Sequence, residues 1–258
     1  MDSETLQHLA AAYGTPAYVF DAAVLERQFV HLRAAVPAEV DIHYSLKANP
    51  NRHLVSRFAG AGAGFEIASA GELEVIAAEG LDCSRTLFIG PAKSDRELSA
   101  AVAHGVGLIV AESATEVARI AAMGASRVPV ALRLNPGRGY GEINMGGPTP
   151  FGMDVDTAVA TVLRHAQSPF VDLCGVHAFL GSGVASPEAF CQNVARLFEA
   201  VDAVTTATSW MPRFAGLGGG FAIRRYATDP EPDWRPLATM LYPLLAAYRE
   251  RHAGTERF

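Results

Sequence analysis

Cysteine is scarce in this sequence: Cys83, Cys174 and Cys191 are the only three among 258 residues, an odd and widely spaced set. That usage excludes a disulfide scaffold and the paired ligand spacing of a zinc site. Reduced thiols in a cytoplasmic protein are the expected state. Charge is sparse as well, at 19% of residues, with a formal net charge of −6. Lysine and arginine are scattered, and no basic stripe marks a nucleic-acid or polyanion partner. No uninterrupted apolar run of about 18 residues predicts a membrane span. The first residues, with Asp2 and Glu4, lack the basic start and apolar stretch of a signal peptide. These absences point to a cytoplasmic chain that binds neither nucleic acid nor membrane.

Apolar material, by contrast, is plentiful. Hydrophobic residues make up 50% of the chain, enough for a sizeable core. The length allows one large α/β barrel or two smaller domains. After a short opening helix and an extended run at Ala17–Phe20, apolar runs alternate with amphipathic stretches. Strands are predicted at Asp41–Ala48, Gly64–Ala68, Thr86–Ile89, Gly107–Glu112, Val128–Asn135, Asp172–Phe179 and Arg213–Gly218. Ser69 with Glu72, Ser94 with Glu97, and Ser113 with Glu116 each spell S-x-x-E just after a strand. In such a capping box the serine hydroxyl and the glutamate satisfy exposed amides of the first helical turn. Three boxes in register make a repeated strand-to-helix unit. Ser186-Pro187 opens a later helix, with proline where its missing N–H does no harm. That helix repeats Phe190, Val194, Leu197, Val201 and Val204 on one face, the stripe of a helix packed on a sheet.

Strands alternating with helices imply a parallel sheet, either doubly wound or closed into a barrel. The first strand favours the barrel. One of its faces carries His43, Ser45 and Lys47, and the other Ile42, Tyr44, Leu46 and Ala48. With a period of two, the apolar face meets helices and the polar face points inward. Chemistry in such barrels sits at the C-terminal strand ends, where Lys47 falls. From the strand alone, a lysine that merely reaches solvent is an open alternative.

Tyr44-Ser45-Leu46-Lys47-Ala48-Asn49 resembles the lysine motif of the fold-type III pyridoxal-phosphate decarboxylases, the ornithine and diaminopimelate decarboxylase group. The likeness continues in order along nearly the whole chain. Gly64-Phe65-Glu66-Ile67-Ala68-Ser69-Ala70-Gly71-Glu72-Leu73 looks like the second-strand motif. Gly175-Val176-His177-Ala178-Phe179-Leu180-Gly181-Ser182-Gly183 looks like the sixth, and Gly218-Gly219-Gly220 like the phosphate-binding glycines. The resemblance implies an alanine-racemase-like (β/α)8-type barrel with residues 1–258 as one domain binding pyridoxal 5′-phosphate. Lys47 would condense with the cofactor aldehyde. The electron-withdrawing ring would then let a bond to the substrate Cα break. Ser182 would add a hydroxyl to the phosphate, Phe179 and His177 would lie near the ring, and Glu66 and Arg133 would complete the cofactor pocket. Taken singly, Glu66 is equally a cap or ion-pair partner, His177 a core histidine and Gly218–Gly220 a plain loop.

Two departures refine the resemblance. The ornithine and diaminopimelate enzymes place a ring-stacking histidine where Phe179 stands here; phenylalanine still stacks but offers no proton or hydrogen bond. That aromatic, with Asn144-Met145-Gly146-Gly147-x-x-x-Phe151-Gly152 and Leu217-Gly218-Gly219-Gly220-Phe221, looks more like the subgroup that decarboxylates an aminoacyl group held on a carrier protein. The second departure is at the end. After a helix at Trp234–His252 the family enters a last barrel strand and a C-terminal β-domain that completes a homodimer. This chain stops at Phe258, about where that strand would begin. It is therefore expected to supply seven of the eight strands and to be incomplete as given. Two further readings on the same fold are an amino-acid racemase, which needs a proton donor on each face of Cα, and a barrel that carries the cofactor without turnover.

Overall fold

The computed structural model describes residues 1–124, 127–224, 226–252 and 258. The chain opens with helices α1 (Ser3–Tyr13) and α2 (Ala22–Ala35) and then alternates: β1 (His43–Ser45), α3 (Arg52–Gly60), β2 (Gly64–Ile67), α4 (Ala70–Ala78), β3 (Thr86–Phe88), α5 (Asp95–Ala103), β4 (Leu108–Ala111), α6 (Ala114–Ala122) and β5 (Val128–Arg133). There follow β6 (Ile143–Asn144), α7 (Val155–His165), β7 (Val171–His177), β8 (Gly181–Ser182), α8 (Pro187–Thr208), β9 (Phe214–Gly216) and α9 (Leu237–Arg251). Seven strands form one parallel sheet in the order β1-β2-β3-β4-β5-β7-β9, and β6 and β8 make a small antiparallel pair. Sequential parallel neighbours with a helix in each crossover curl the sheet as a barrel does. Among the described residues β1 and β9 are not paired with each other, so the curl stays open. At that gap the Asp41 amide donates to the Phe258 carbonyl at 2.9 Å.

The seven expected strands all form, each shorter than the apolar run that marked it. The extended run at 17–20 makes no strand, and Tyr18 there is 94% exposed. Ser69, Ser94, Ser113 and Ser186 cap their helices as the serine spacing predicts. Only Ser94 and Glu97 close a full reciprocal box. Glu72 and Glu116 instead reach one residue further back, to the amides of Ala68 (2.6 Å) and Glu112 (3.2 Å). In α8, Phe190, Val194, Leu197, Val201 and Val204 are all buried. Burial stabilises each by about 1.5–3 kcal/mol. That outweighs the few tenths of a kcal/mol by which valine disfavours a helix.

Period-two alternation divides the interior into two apolar clusters. Ile109, Ala111, Val130, Leu132 and Val176 face the helices in the larger one. Ile89, Leu108, Val110, Ala131 and Cys174, with Leu87 and Phe214, fill the inside of the curl. The inner rows end on polar residues: Val110 is followed two positions later by Glu112, and Ala131 by Arg133. The barrel thus has an apolar floor and a polar rim at the C-terminal strand ends, the end that positions a site.

Candidate active site

The rim surrounds a cavity of about 430 Å³, lined by His43, Ser45, Lys47, Glu66, His177, Phe179, Ser182 and Gly218–Gly220 among others. Eight of the nine residues singled out in the sequence therefore converge on one space. Arg133 is the ninth, and it does not line the cavity. β1 ends at Ser45, so Lys47 stands on the turn that follows rather than on the strand. Its side chain is 61% exposed, with Nζ 3.7 Å from Glu66 Oε1 and 5.4 Å from the centre of the Phe179 ring. Glu66 is held in turn by the Ser45 hydroxyl, which donates to Oε1 at 2.9 Å. Lysine is rare in this chain: Lys47 and Lys93 are the only two. Lys93 is sealed, donating to Gly90 O (2.8 Å), Val110 O (2.7 Å) and Glu116 Oε1 (2.7 Å). One lysine is reachable, and it faces the cavity.

His177 is buried, and its Nδ1 has no partner among the described residues. Burial, reinforced by the charges of Arg133, Lys47 and Lys93, pushes its pKa well below the ordinary histidine range, so the imidazole is neutral. Gly216 makes room for it: a Cβ there would lie 2.7 Å from His177 Cδ2. Beyond β9 the glycine turn runs against the 178–181 backbone. Gly218 and Gly220 take φ of +73° and +78°, and a Cβ on Gly220 would stand 2.1 Å from Gly181 O. Around Gly219 a Cβ would meet nothing within 4 Å. Among the described residues the amides of Gly218–Gly220 donate to no protein acceptor. Phe221 anchors the turn, its ring centre 4.9 Å from Phe190 and 4.6 Å from Trp234. Unused amides on a Cβ-free turn suit an anionic group. With a reachable lysine and an aromatic face beside them, these residues fit a flat, phosphate-bearing aldehyde such as pyridoxal phosphate.

Behind the rim lies a charged cluster that the sequence reading did not assemble. The Arg133 guanidinium donates to Glu112 Oε1 at 2.6 Å and lies 4.9 Å from the centre of the Phe151 ring. Glu112 Oε2 also accepts the Gly152 amide at 2.9 Å. Lys93 and Glu116 form a second buried pair, and burial lowers the Lys93 pKa against the opposing pull of Glu116 and Glu112. The available signal was a carboxylate ending an otherwise apolar strand, Leu108–Glu112. The cysteines play no part in the site. Burial pushes the Cys174 and Cys191 thiols up to about 11, which leaves them protonated and inert. No helix among the described residues is long and apolar enough to cross a membrane.

Comparison with known proteins decides the lineage. Residues 22–256 match the family described as pyridoxal-dependent decarboxylase, pyridoxal binding domain. This chain belongs to that family. It is 30% identical over 241 residues to the L-glutamyl-[BtrI acyl-carrier protein] decarboxylase of Niallia circulans, covering 90% of this chain and 56% of that protein. It is 32% identical over 249 residues to the diaminopimelate decarboxylase of Neisseria meningitidis serogroup B, covering 93% and 60%. The crystal structure of AQ1208 from Aquifex aeolicus superposes with a TM-score of 0.80 at 27% identity, over 93% of this chain and 57% of that one. Diaminopimelate decarboxylase from Helicobacter pylori complexed with L-lysine, at 22% identity and a TM-score of 0.84 over 93% and 63%, shares the fold. The chain thus spans a little over half the length of these relatives. The curled parallel sheet with its outer helices is the pyridoxal-binding barrel of this family.

Proposed function

We propose that this chain is the cofactor-binding barrel of a pyridoxal-phosphate-dependent decarboxylase whose substrate is an amino acid or an aminoacyl group held on a carrier protein. One observation carries the reading: Lys47, Phe179, His177 and the Gly218–Gly220 turn meet around a single cavity. When bound, the cofactor supplies an electron-withdrawing ring that takes up the electron pair left as the Cα–carboxylate bond breaks. Lys47 Nζ reaches into the cavity to hold the aldehyde end, and Glu66, 3.7 Å away, keeps a carboxylate beside it. The amides of the glycine turn and the Ser182 hydroxyl bind the phosphate. Phe179, which lines the cavity beside Lys47, would offer the ring an aromatic face and exclude water there. Neutral His177 adds a hydrogen-bonding edge without placing a further cation beside Lys47. Phenylalanine at 179, where the diaminopimelate enzymes place a histidine, favours the carrier-held substrate, since the identities to the two kinds of relative are nearly equal. In its full-length form the enzyme works in the cytoplasm as a homodimer. Exposed Tyr13, Tyr18 and Phe20 supply apolar area for further protein contacts.

The test uses the rarity of lysine. The purified chain is mixed with pyridoxal phosphate and reduced with borohydride, and the modified lysine is mapped by mass spectrometry. Label on Lys47 and none on Lys93 is the expected result. A folded chain that takes no label, or takes it on Lys93, overturns the assignment. Carbon dioxide release by the full-length enzyme, compared between free glutamate or diaminopimelate and a glutamyl-carrier protein, then reads the substrate class.

A further inference from the structure

The connection from β5 to α7, residues 134–154, is much longer than the two to six residues typical of such units, and it is tightly ordered by side chains. Asn135 donates to Gly147 O (2.8 Å) and Phe151 O (2.9 Å) and accepts from Gly147 N (2.8 Å). Asn144 accepts from Gly139 N at 2.9 Å. The loop lies on the segment that carries Ser182. Strand β6 pairs with β8 through Ile143–Ser182 and Asn144–Gly181, and the Met145 amide donates to Leu180 O at 3.0 Å. The backbones touch closely: a Cβ on Gly181 would sit 1.9 Å from Tyr140 O, and one on Gly141 would sit 2.8 Å from Ser182 O. Where Ser182 stands is therefore set by where residues 139–145 stand.

That stretch is pinned from outside the loop by Asn193 on α8. The Tyr140 amide donates to Asn193 Oδ1 at 2.7 Å, and Asn193 Nδ2 donates to the Tyr140 carbonyl at 2.9 Å. Both ends of one side-chain amide are spent on one backbone residue. Asn193 is only 7% exposed and lies within the first turns of a helix whose neighbours Phe190, Val194 and Leu197 are apolar. Asparagine is a poor helix former and costly to bury unless its hydrogen bonds are made. Leucine would suit the helix better. The residue is explained by what it holds. Glu112 fixes the far end of the same loop through the Gly152 amide.

We propose that Asn193 is a positioning residue for the phosphate seat: by clamping Tyr140 it holds the 139–145 stretch against Gly181–Ser182 and so sets the affinity for the cofactor's phosphate. The proposal rests on the cofactor reading above. Its test compares pyridoxal phosphate with pyridoxal, which carries the same aldehyde and ring but no phosphate. Dissociation constants for both are read from the concentration dependence of Lys47 labelling in the wild-type chain, Asn193→Leu and Asn193→Asp. Leucine removes both hydrogen bonds and is a better helix former, and aspartate keeps the acceptor and loses the donor. The expected result is a tenfold or greater loss of pyridoxal phosphate affinity in both variants, with pyridoxal affinity unchanged within twofold. Equal weakening of the two ligands would mean a general structural role and would overturn the proposal, as would no change in either. If one variant fails to fold, the other decides. A wild-type chain that takes up no pyridoxal phosphate at Lys47 defeats the cofactor reading and this inference with it; normal wild-type uptake with an unaltered ligand ratio defeats the inference alone.

Discussion

Removing Glu112 should destabilise the barrel severely, and removing its partner as well should restore much of the loss. Glu112 and Arg133 pair at 2.6 Å with side chains 5% and 7% exposed. Desolvating two such charges offsets most of their attraction, so the intact pair contributes little net stability. Breaking it is different, because one charge stays buried and uncompensated at a cost of about 3–5 kcal/mol. Glu112→Leu strands the Arg133 cation and also takes the acceptor from the Gly152 amide, a polar group whose lost partner costs about 1–3 kcal/mol in its own right. For a chain of this size about 2–4 °C of melting temperature accompany each kcal/mol. The single variant should therefore melt roughly 8–32 °C below wild type. Arg133→Met, which strands the carboxylate but leaves the Gly152 amide its acceptor, should fall by about 6–20 °C. The double variant Glu112→Leu/Arg133→Met carries no stranded charge and should regain at least half of either loss. Urea unfolding followed by circular dichroism measures all four proteins as a double-mutant cycle. Losses that simply add in the double variant would refute the argument, since they would mean that each residue acts through contacts of its own.

The glycine turn yields a contrast between neighbours. Gly220→Ala, with a φ of +78° and a Cβ 2.1 Å from Gly181 O, should lower pyridoxal phosphate affinity at least tenfold, whereas Gly219→Ala, with nothing within 4 Å, should leave the turn's shape intact; absorbance titration with the cofactor reads both. His177 makes stability depend on pH. Its folded-state pKa is depressed by burial and neighbouring cations, so below the ordinary value near 6.5 the unfolded chain binds the proton and the folded chain does not. Stability should fall by about 1.4 kcal/mol per pH unit once pH drops below that value. His177→Phe should flatten the slope between pH 6.5 and 5.5 in urea unfolding (pH values are roughly those of the free imidazole titration), and an unchanged slope would rule His177 out as its source. Ser113→Ala removes the hydroxyl that accepts from the Glu116 amide at 3.2 Å and should cost about 1 kcal/mol, a loss that Ser113→Asp should largely avoid.

The strand-to-helix repeat was legible because it is local. A serine three residues before a glutamate, just after an apolar run, is decided by the geometry of one helical turn, and all three serines cap as that geometry requires. The inward face of β1 was legible for the same reason, since alternation needs only adjacent residues. The ordered motifs then brought Lys47, Glu66, Phe179, Ser182 and Gly218–Gly220 to one cavity, although Lys47 stands on a turn where the alternation had extended the strand. What could not be read was pairing across the chain. Glu112 meets Arg133 21 positions away, and Asn193 meets Tyr140 53 positions away. A carboxylate at the end of an apolar strand marks Glu112 as unusual, but no local pattern says which residue it or Asn193 meets. Arg133 shows the cost most clearly: alternation put it on the inner face, which is where it lies, but its guanidinium turns to Glu112 and Phe151 and away from the cavity.

The two lysines show why burial alone does not select a reactive residue. Lys93 is almost fully buried, and its three hydrogen bonds use every donor of an ammonium group. Deprotonating it would remove one of those donors and leave the Glu116 carboxylate without its counter-charge, so the same contacts that keep it inside also hold it out of reach. Lys47 has the opposite arrangement. Glu66 lies 3.7 Å away, beyond a good hydrogen bond, and its nearer oxygen already accepts from Ser45. The side chain keeps a carboxylate nearby yet stays 61% exposed at the cavity. Moving Ser45 should therefore alter Lys47 without touching it. Ser45→Ala removes the hydrogen bond that holds Glu66 Oε1, and a carboxylate free to close on Nζ draws the amine away from the cavity. Borohydride labelling of Lys47 by pyridoxal at neutral pH should slow in Ser45→Ala and recover in Ser45→Thr, which restores the hydroxyl. Equal labelling rates in all three proteins would show that Glu66 does not tune the lysine and that exposure by itself accounts for its reactivity.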